Sequence, residues 1–296
     1  MVVIERFPEN PVIRPGMKGL TGEDGTNING PSMIKVPSWV PGRLGTHYLY
    51  FSHHRGTSIR LAHADSIRGP YRIHPGGVLS LEQAPCRDHI ASPDVHVDDE
   101  RREIRMYFHG LAGSSQRTFV ATSGDGLNFR SRKKALGPFY FRVFRRDDRF
   151  FAVAKHKNRS GVLLKSRDPY TRFRRVRTIL PNMRHAAVHV VKDTLLLFFS
   201  RIGDNPESIL LSRMDLSPPP RRWNPTDATL IVRPEKPYEG ALLPCLASRS
   251  GPAHHPVHQV RDPAIFEERG ELHLLYAVAG EQGIAIARLL PDASWT

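Results

Sequence analysis

The sequence predicts an all-β protein built as a five-bladed β-propeller, and three observations carry that prediction. The same order of short β-type runs recurs five times along the 296 residues. Helical periodicity is absent between them. The segment Val2–Phe7, ahead of the first repeat, reads as the one outer strand that the fifth repeat lacks.

The first strand of each unit reads Pro31–Val36, Ser92–Asp98, Pro138–Phe144, His185–Val191 and Asp262–Glu268, each β-branched or aromatic and bounded by turn residues. Second strands follow at His47–His54, Glu103–Gly110, Arg149–His156, Thr194–Arg201 and Glu271–Val278. Third strands read Ser58–Asp65, Arg117–Asp125, Gly161–Asp168, Ser208–Asp215 and Gly283–Leu289, four of the five ending in Asp at a turn. Weaker fourth strands lie at Tyr71–His74, Phe129–Arg132, Phe173–Thr178 and Thr229–Arg233. A two-sheet sandwich also shows regular short strands, but the fivefold order favours four-stranded antiparallel blades in a ring. Closing the last blade with the N-terminal strand would leave no open edge between the ends and make residues 1–296 one domain.

A 40% hydrophobic content suffices for a substantial core. The two cysteines, Cys86 and Cys245, lack the spacing of a disulfide framework or a thiolate metal site. The N-terminus carries no basic stretch followed by an apolar run, and no window of about 18 apolar residues suggests a membrane span. A cytoplasmic protein without a membrane partner is expected. The 43 Lys+Arg against 29 Asp+Glu give a formal charge of +14, a field that attracts polyanions. The basic runs Arg130–Lys134 and Arg172–Arg177 fall on expected outer strands and read as a solvated rim. No zinc-finger, RRM or helix-turn-helix signature accompanies them, so no specific nucleic-acid partner is expected.

In such a ring the start of each first strand, the end of each second strand and the following loop share one face. That face collects Asn27, Asn29, Ser52, His53 and His54 from blade one, and His89, Ser92, Asp94 and His109 from blade two. Lys155 and His156 come from blade three, Arg184, His185, Arg201, Asp204 and Glu207 from blade four, and Arg261, Asp262 and Glu281 from blade five. The opposite rim consists of charged turns such as Asp98–Arg102, so function is assigned to the histidine-rich face.

Asn29-Gly30-Pro31-Ser32, His89-Ile90-Ala91-Ser92-Pro93-Asp94, Gly124-Asp125-Gly126-Leu127-Asn128-Phe129, Tyr238-Glu239-Gly240 and Arg261-Asp262-Pro263-Ala264-Ile265-Phe266 together resemble the five-bladed propeller glycosidases, glycoside hydrolase families 43, 32 and 68 and the related phosphorylases. The resemblance runs over about the whole chain by repeat order. It implies a carbohydrate substrate and a carboxylate base or nucleophile on blade one, a tuning Asp on blade two and a Glu general acid beyond. This chain departs from that pattern, with Gly30 before Pro31, Ser92 before Pro93 and no Glu near Gly137-Pro138. Asp262 alone keeps the Asp-Pro arrangement.

Asp262 is therefore the leading catalytic carboxylate, with a strand-capping turn residue as the plainer role. Glu239, near Tyr238 and apolar neighbours, suits a general acid with a raised pKa, and Glu281 or Glu207 could complete an acid/base pair. His54 (or His53), His109 and His156 end three consecutive second strands and are the candidate ligands for a divalent metal ion. Asn29, His53, His54, Asp94, His109, His156, Arg184, His185, Arg201 and Arg261 are the expected substrate-binding set. Arginine forks and the net charge tilt the ligand towards an acidic sugar. The leading function is a glycan-processing enzyme. The alternatives are a metal-dependent enzyme using the histidines, or a non-catalytic sugar-binding propeller in which Trp39, Tyr140 and Trp223 serve as platforms.

Overall fold

The computed structural model describes residues 3–20 and 22–290. Five antiparallel sheets follow one another along the chain, giving the expected five-bladed β-propeller. Blade one is Asn29–Lys35, His47–Ser52, Ser58–Ala64 and Arg72–Ile73, and blade two is Arg87–Asp98, Glu103–Ala112, Ser115–Ser123 and Arg130–Ser131. Blade three is Arg142–Arg146, Arg149–His156, Ser160–Ser166 and Arg174–Pro181. Blade four is Met183–Val191, Thr194–Arg201, Ile209–Asp215 and Thr229–Val232. Blade five is Arg261–Glu268, Glu271–Ala277 and Ile284–Leu290, completed by Val3–Arg6 from the other end of the chain. Val2, included in the expected closing strand, lies outside the described residues. No described helix is long and apolar enough to cross a membrane.

The second strands read as continuous apolar runs because each is covered on both faces by neighbouring blades. His47–Ser52 is buried at every position. Five apolar clusters result, one between each pair of adjacent blades. Tyr50, Phe108 and Phe129 lie between blades one and two, and Tyr107, Phe141 and Val162 between two and three. Phe151, Leu197 and Trp223 lie between three and four, Phe198, Leu211 and Leu274 between four and five, and Phe51, Leu275 and Phe7 between five and one. Each fully buried Phe or Leu contributes about 2–3 kcal/mol, so blade contacts carry much of the stability. Hairpin turns use left-handed residues, as at Arg269 and Gly270 (φ 55° and 79°), where two successive positive φ values match the strand twist.

One expected strand is displaced. Blade three begins its inner strand at Arg142, whereas Gly137–Pro138 pairs with Arg117 and Thr118 on the outside of blade two. Leu136, fully buried between the two blades, sends its N–H to the Thr118 carbonyl, and Thr118 Oγ1 bonds the Pro138 carbonyl, which fixes the segment there. The residues between, Phe139 and Tyr140, are thereby delivered to the top of the ring.

Ring closure uses more than strand pairing. Val3–Arg6 pairs with Ala287–Leu290, and the Asn10 side chain extends the ladder by bonding both the N–H and the carbonyl of Ile286. Along the axis the channel is plugged by Arg142, whose guanidinium donates to the carbonyls of Ser92, Pro93, Phe141 and Ala186, and so ties blades two, three and four together.

Candidate functional site

Four of the five inner strands start with a non-standard turn. Gly30, Ser92, Tyr140 and Asp262 all have positive φ, at 59°, 52°, 65° and 50°. In blades one, two and five the register slips beside these residues. For a non-glycine residue such a φ costs about 1 kcal/mol or more and is kept only where the surroundings impose it. These bulges ring a cavity of about 230 Å³ at the head of the channel, lined by Asn29, His54, Ser92, His109, Tyr140, Lys155, Arg184, His185 and Asp262 among others.

Asp262 is buried in the wall, accepting a hydrogen bond from the Tyr140 hydroxyl at 3.2 Å. Its Oδ1 also lies 3.4 Å from His185 Nε2, while the other ring nitrogen of His185 faces Glu207 at 3.8 Å. The Tyr140 and His185 rings lie 5.3 Å apart. Burial lowers the His185 pKa to about 4, against the pull of Asp262, so the imidazole is neutral at pH 7. Burial raises the Tyr140 phenol well above its usual value.

Lys155 is buried with its ammonium 5.2 Å from the Phe139 ring centroid and 5.9 Å from that of Tyr140. Among the described residues no carboxylate comes within ion-pair distance of it. Burial first, and Arg184 second, push its pKa down to about 7. His109 is also buried, its Nδ1 without a hydrogen-bond partner, and burial together with His89 and Lys155 holds it well below the ordinary histidine value. His89 Nδ1 lies 3.0 Å from Asp88 Oδ2 at the rim.

Behind this wall lies a fully buried ion cluster. Glu207 accepts from Ser200 and Ser248 at 2.7 and 2.8 Å and meets Arg261 at 3.0 Å and Arg184 at 3.4 Å. Glu281 accepts from Asn27 at 2.6 Å and meets Arg261 at 3.2 Å and His54 at 3.3 Å. Burial alone would raise both carboxyls. The two arginines outweigh it at Glu207, and His54 and Arg261 do so at Glu281, leaving both well below the usual range. Two cations and two anions thus offset one another, and the partners hold Arg184 and His185 in the cavity wall.

The expected site residues divide. Asn29, His54, His109, Arg184, His185 and Asp262 line the cavity, while Arg261, Glu207 and Glu281 support it from behind. Glu239 stands elsewhere: it accepts from Arg6 and the Tyr276 hydroxyl at 2.7 Å and from the N–H groups of Glu235 and Lys236, a clasp between the closing strand and blade five. Asp94 lies beyond the Arg142 plug in a separate lower cavity, bonded to Val143 N–H and His96. Arg201 is half-exposed and pairs with Asp204, and the His53 ring accepts from Arg55 N–H in a turn. His156 lines an outer groove on blade three. The metal triad His54, His109 and His156 therefore does not converge, and among the described residues no group of three His, Cys, Asp or Glu side chains is arranged to hold a metal. Of the expected aromatic platforms, only Tyr140 reaches the cavity. Trp223 is buried between blades and Trp39 bonds Asp99.

Blade one accounts for its missing carboxylate physically. A Cβ on Gly30 would stand 3.0 Å from Ser52 Oγ and 3.2 Å from Ser92 Cα, so the backbones of blades one and two approach where a side chain would otherwise project. Lys155 was legible as a polar rim position but carried no assigned role, and Tyr140 as the hydrogen-bond partner of Asp262 was hidden by the displaced strand.

No protein-family model matches the sequence. Solved structures share the fold across most of the chain. A GH43 β-xylosidase/α-arabinofuranosidase from a compost microbial metagenome, in complex with xylotriose, superposes with a TM-score of 0.63 at 15% identity over 96% of each chain. A glycosyl hydrolase from Bacteroides ovatus gives 0.67 at 10% identity over 96% of this chain and 92% of that one. A GH43_1 enzyme from Xanthomonas citri with xylotriose gives 0.63 at 14% over 92% and 89%. At these identities the likeness is one of fold. In sequence, an uncharacterized protein of Acanthamoeba polyphaga mimivirus is 34% identical over a 324-residue alignment that covers 97% of this chain and 90% of the viral one. The chain therefore belongs to the same family as that mimivirus protein, built on the five-bladed propeller that glycoside hydrolases also use.

Proposed function

We propose that the protein processes a glycan, holding a sugar in the cavity at the head of the ring and acting on it through carboxylate acid/base chemistry centred on Asp262. The observation that carries this reading is a buried, cavity-lining carboxylate engaged by Tyr140 and His185, in a wall shared with the buried amine of Lys155. Glycosidic cleavage needs one group to protonate the leaving oxygen and another to attack the sugar or activate water. Asp262 supplies the carboxylate. Lys155, with its pKa near 7, supplies the proton at neutral pH.

Glu207 and Glu281 act indirectly, fixing Arg184 and His185 in position. The cavity's hydrogen-bonding groups and the Tyr140 ring suit a sugar's hydroxyls and its apolar face, and the xylotriose bound by two enzymes of the same fold supports a carbohydrate ligand. A buried ammonium without a carboxylate partner favours a sugar bearing an acidic group.

The test is a turnover and binding screen of neutral and acidic glycosides with wild type, Asp262→Asn and Lys155→Met. Turnover should fall at least 1000-fold in Asp262→Asn while sugar affinity stays within tenfold, and Lys155→Met should lose the limb near pH 7 in its rate profile. Undiminished turnover in Asp262→Asn removes this residue from the chemistry. The closed blade-one position at Gly30 favours a second reading, a sugar-binding propeller without catalysis. Binding without turnover across the whole panel selects it.

A further inference from the structure

A groove of about 1330 Å³ runs along the outside of blades two and three. Its cationic lining includes Arg117, Lys165, Arg167, Arg172, Arg174 and Arg175, and no carboxylate lines it. None of these six has a carboxylate partner among the described residues, unlike the paired arginines beneath the cavity. The basic run Arg172–Arg177, which the sequence places on a solvated rim, instead faces an opposite wall that blade two supplies through Arg117 and the displaced Gly137–Pro138. The groove and the central cavity are separated by a single hairpin. His156 lines the groove, while Lys155 and Asn158 line the cavity.

We propose that this groove is a binding site for an acidic polysaccharide whose end enters the central cavity over the hairpin at Lys157–Arg159. The proposal rests on the glycan reading of that cavity. Guanidinium forks match carboxylate and sulfate oxygens in pairs, and several unpaired cations along one groove give the cumulative, salt-sensitive attraction that a repeating anion needs. Single-stranded nucleic acid would call for aromatic faces on which bases stack. Among the described residues no Tyr or Trp lines the groove, its Phe173 is 3% exposed and packed into the core between the blades, and His156 alone offers a ring, too few for a run of stacked bases. The chemistry therefore favours the polysaccharide.

The test uses the full chain and dextran sulfate as probe, with neutral dextran and oligo(dT) of matched charge as comparisons. Wild type should bind dextran sulfate with an affinity that falls steeply with salt. The triple variant Arg172→Gln/Arg174→Gln/Arg175→Gln should bind at least tenfold more weakly, with a slope of log K against log[salt] shallower by about two to three. Arg117→Gln/Lys165→Gln, which leaves the outer strand of blade three untouched, should weaken binding in the same direction if the triple variant folds poorly. Both groove variants should keep wild-type turnover of a short glycoside. Asp262→Asn should keep wild-type affinity for dextran sulfate, which separates the groove from the chemistry. Unchanged affinity in both groove variants overturns the proposal, as does tighter wild-type binding of oligo(dT) than of dextran sulfate. Aggregation of the triple variant with its affinity retained also overturns it, because the arginines would then only guard an edge strand.

Discussion

Glu239 and Glu207 are both fully buried, and each is paired with arginine. They differ in what lies beyond the pair. All four partners of Glu239 sit on closely packed chain around the ring closure, so its hydrogen bonds are spent on holding the closing strand to blade five. The partners of Glu207 include Arg184 and His185, whose other sides face open volume. A buried, ion-paired carboxylate is therefore no mark of a functional site by itself. The mark is a wall whose rigidity is used on its empty side.

The largest effects should come from the two glutamates themselves. Glu239→Ala strands Arg6 and a tyrosine hydroxyl and should cost about 3–5 kcal/mol in chemical denaturation, while the folded fraction binds sugar as before. Glu207→Ala should cost a similar amount and also weaken sugar binding at least tenfold by titration calorimetry. Equal effects of the two on binding would break the comparison.

The pH dependence separates the regions next. The His185 imidazole titrates at 6.5 when unfolded and about 4 when folded, so the unfolded chain takes up a proton that the native one refuses. Stability should therefore fall by about 3 kcal/mol as pH drops from 6.5 to 4, and His185→Gln should flatten that slope. Glu207 and Glu281 have depressed pKa values, so their contribution is present above about 4.5 and is lost only at lower pH, a window that denaturation at pH 5 already distinguishes.

Smaller effects follow. Gly30→Ala meets both a φ of 59° and the Ser92 backbone and should cost about 2 kcal/mol. Asp94→Asn, beyond the Arg142 plug, should cost about 1 kcal/mol and leave sugar affinity unchanged. Arg201→Ala should alter stability by less than about 0.5 kcal/mol. A loss of sugar binding in either of the last two would show that the cavity extends past its present wall.

The fold was legible because each blade repeats the same local physics: short β-branched runs, charged turns, and a continuous apolar second strand such as Thr194–Arg201. The displaced start of blade three was not, because Pro138-Phe139-Tyr140 has the composition of an inner strand and only the burial of Leu136 between two blades assigns it elsewhere. Asp262, Arg184, His185 and His109 were found because they stand at repeat-defined strand ends. His156 occupies the same position by count, yet its hairpin turns it outward, a one-residue matter that repeat order cannot resolve. Glu239 followed the family pattern in its short motif but not in its surroundings, since Arg6 lies 233 residues away.

The closing strand imposes an order of events on synthesis. Val3–Arg6 is made before blades one to four, and its partner Ala287–Leu290 only after them. The Asn10 side chain waits for Ile286, 276 residues later. Until then four blades can stack, but Phe51 on blade one lacks its neighbours on blade five, and that apolar face stays open to solvent or to another chain. Ring closure is thus a late set of long-range contacts, slow by virtue of the loop it must span. The yield of closed rings depends on how quickly Val3–Arg6 meets Ala287–Leu290.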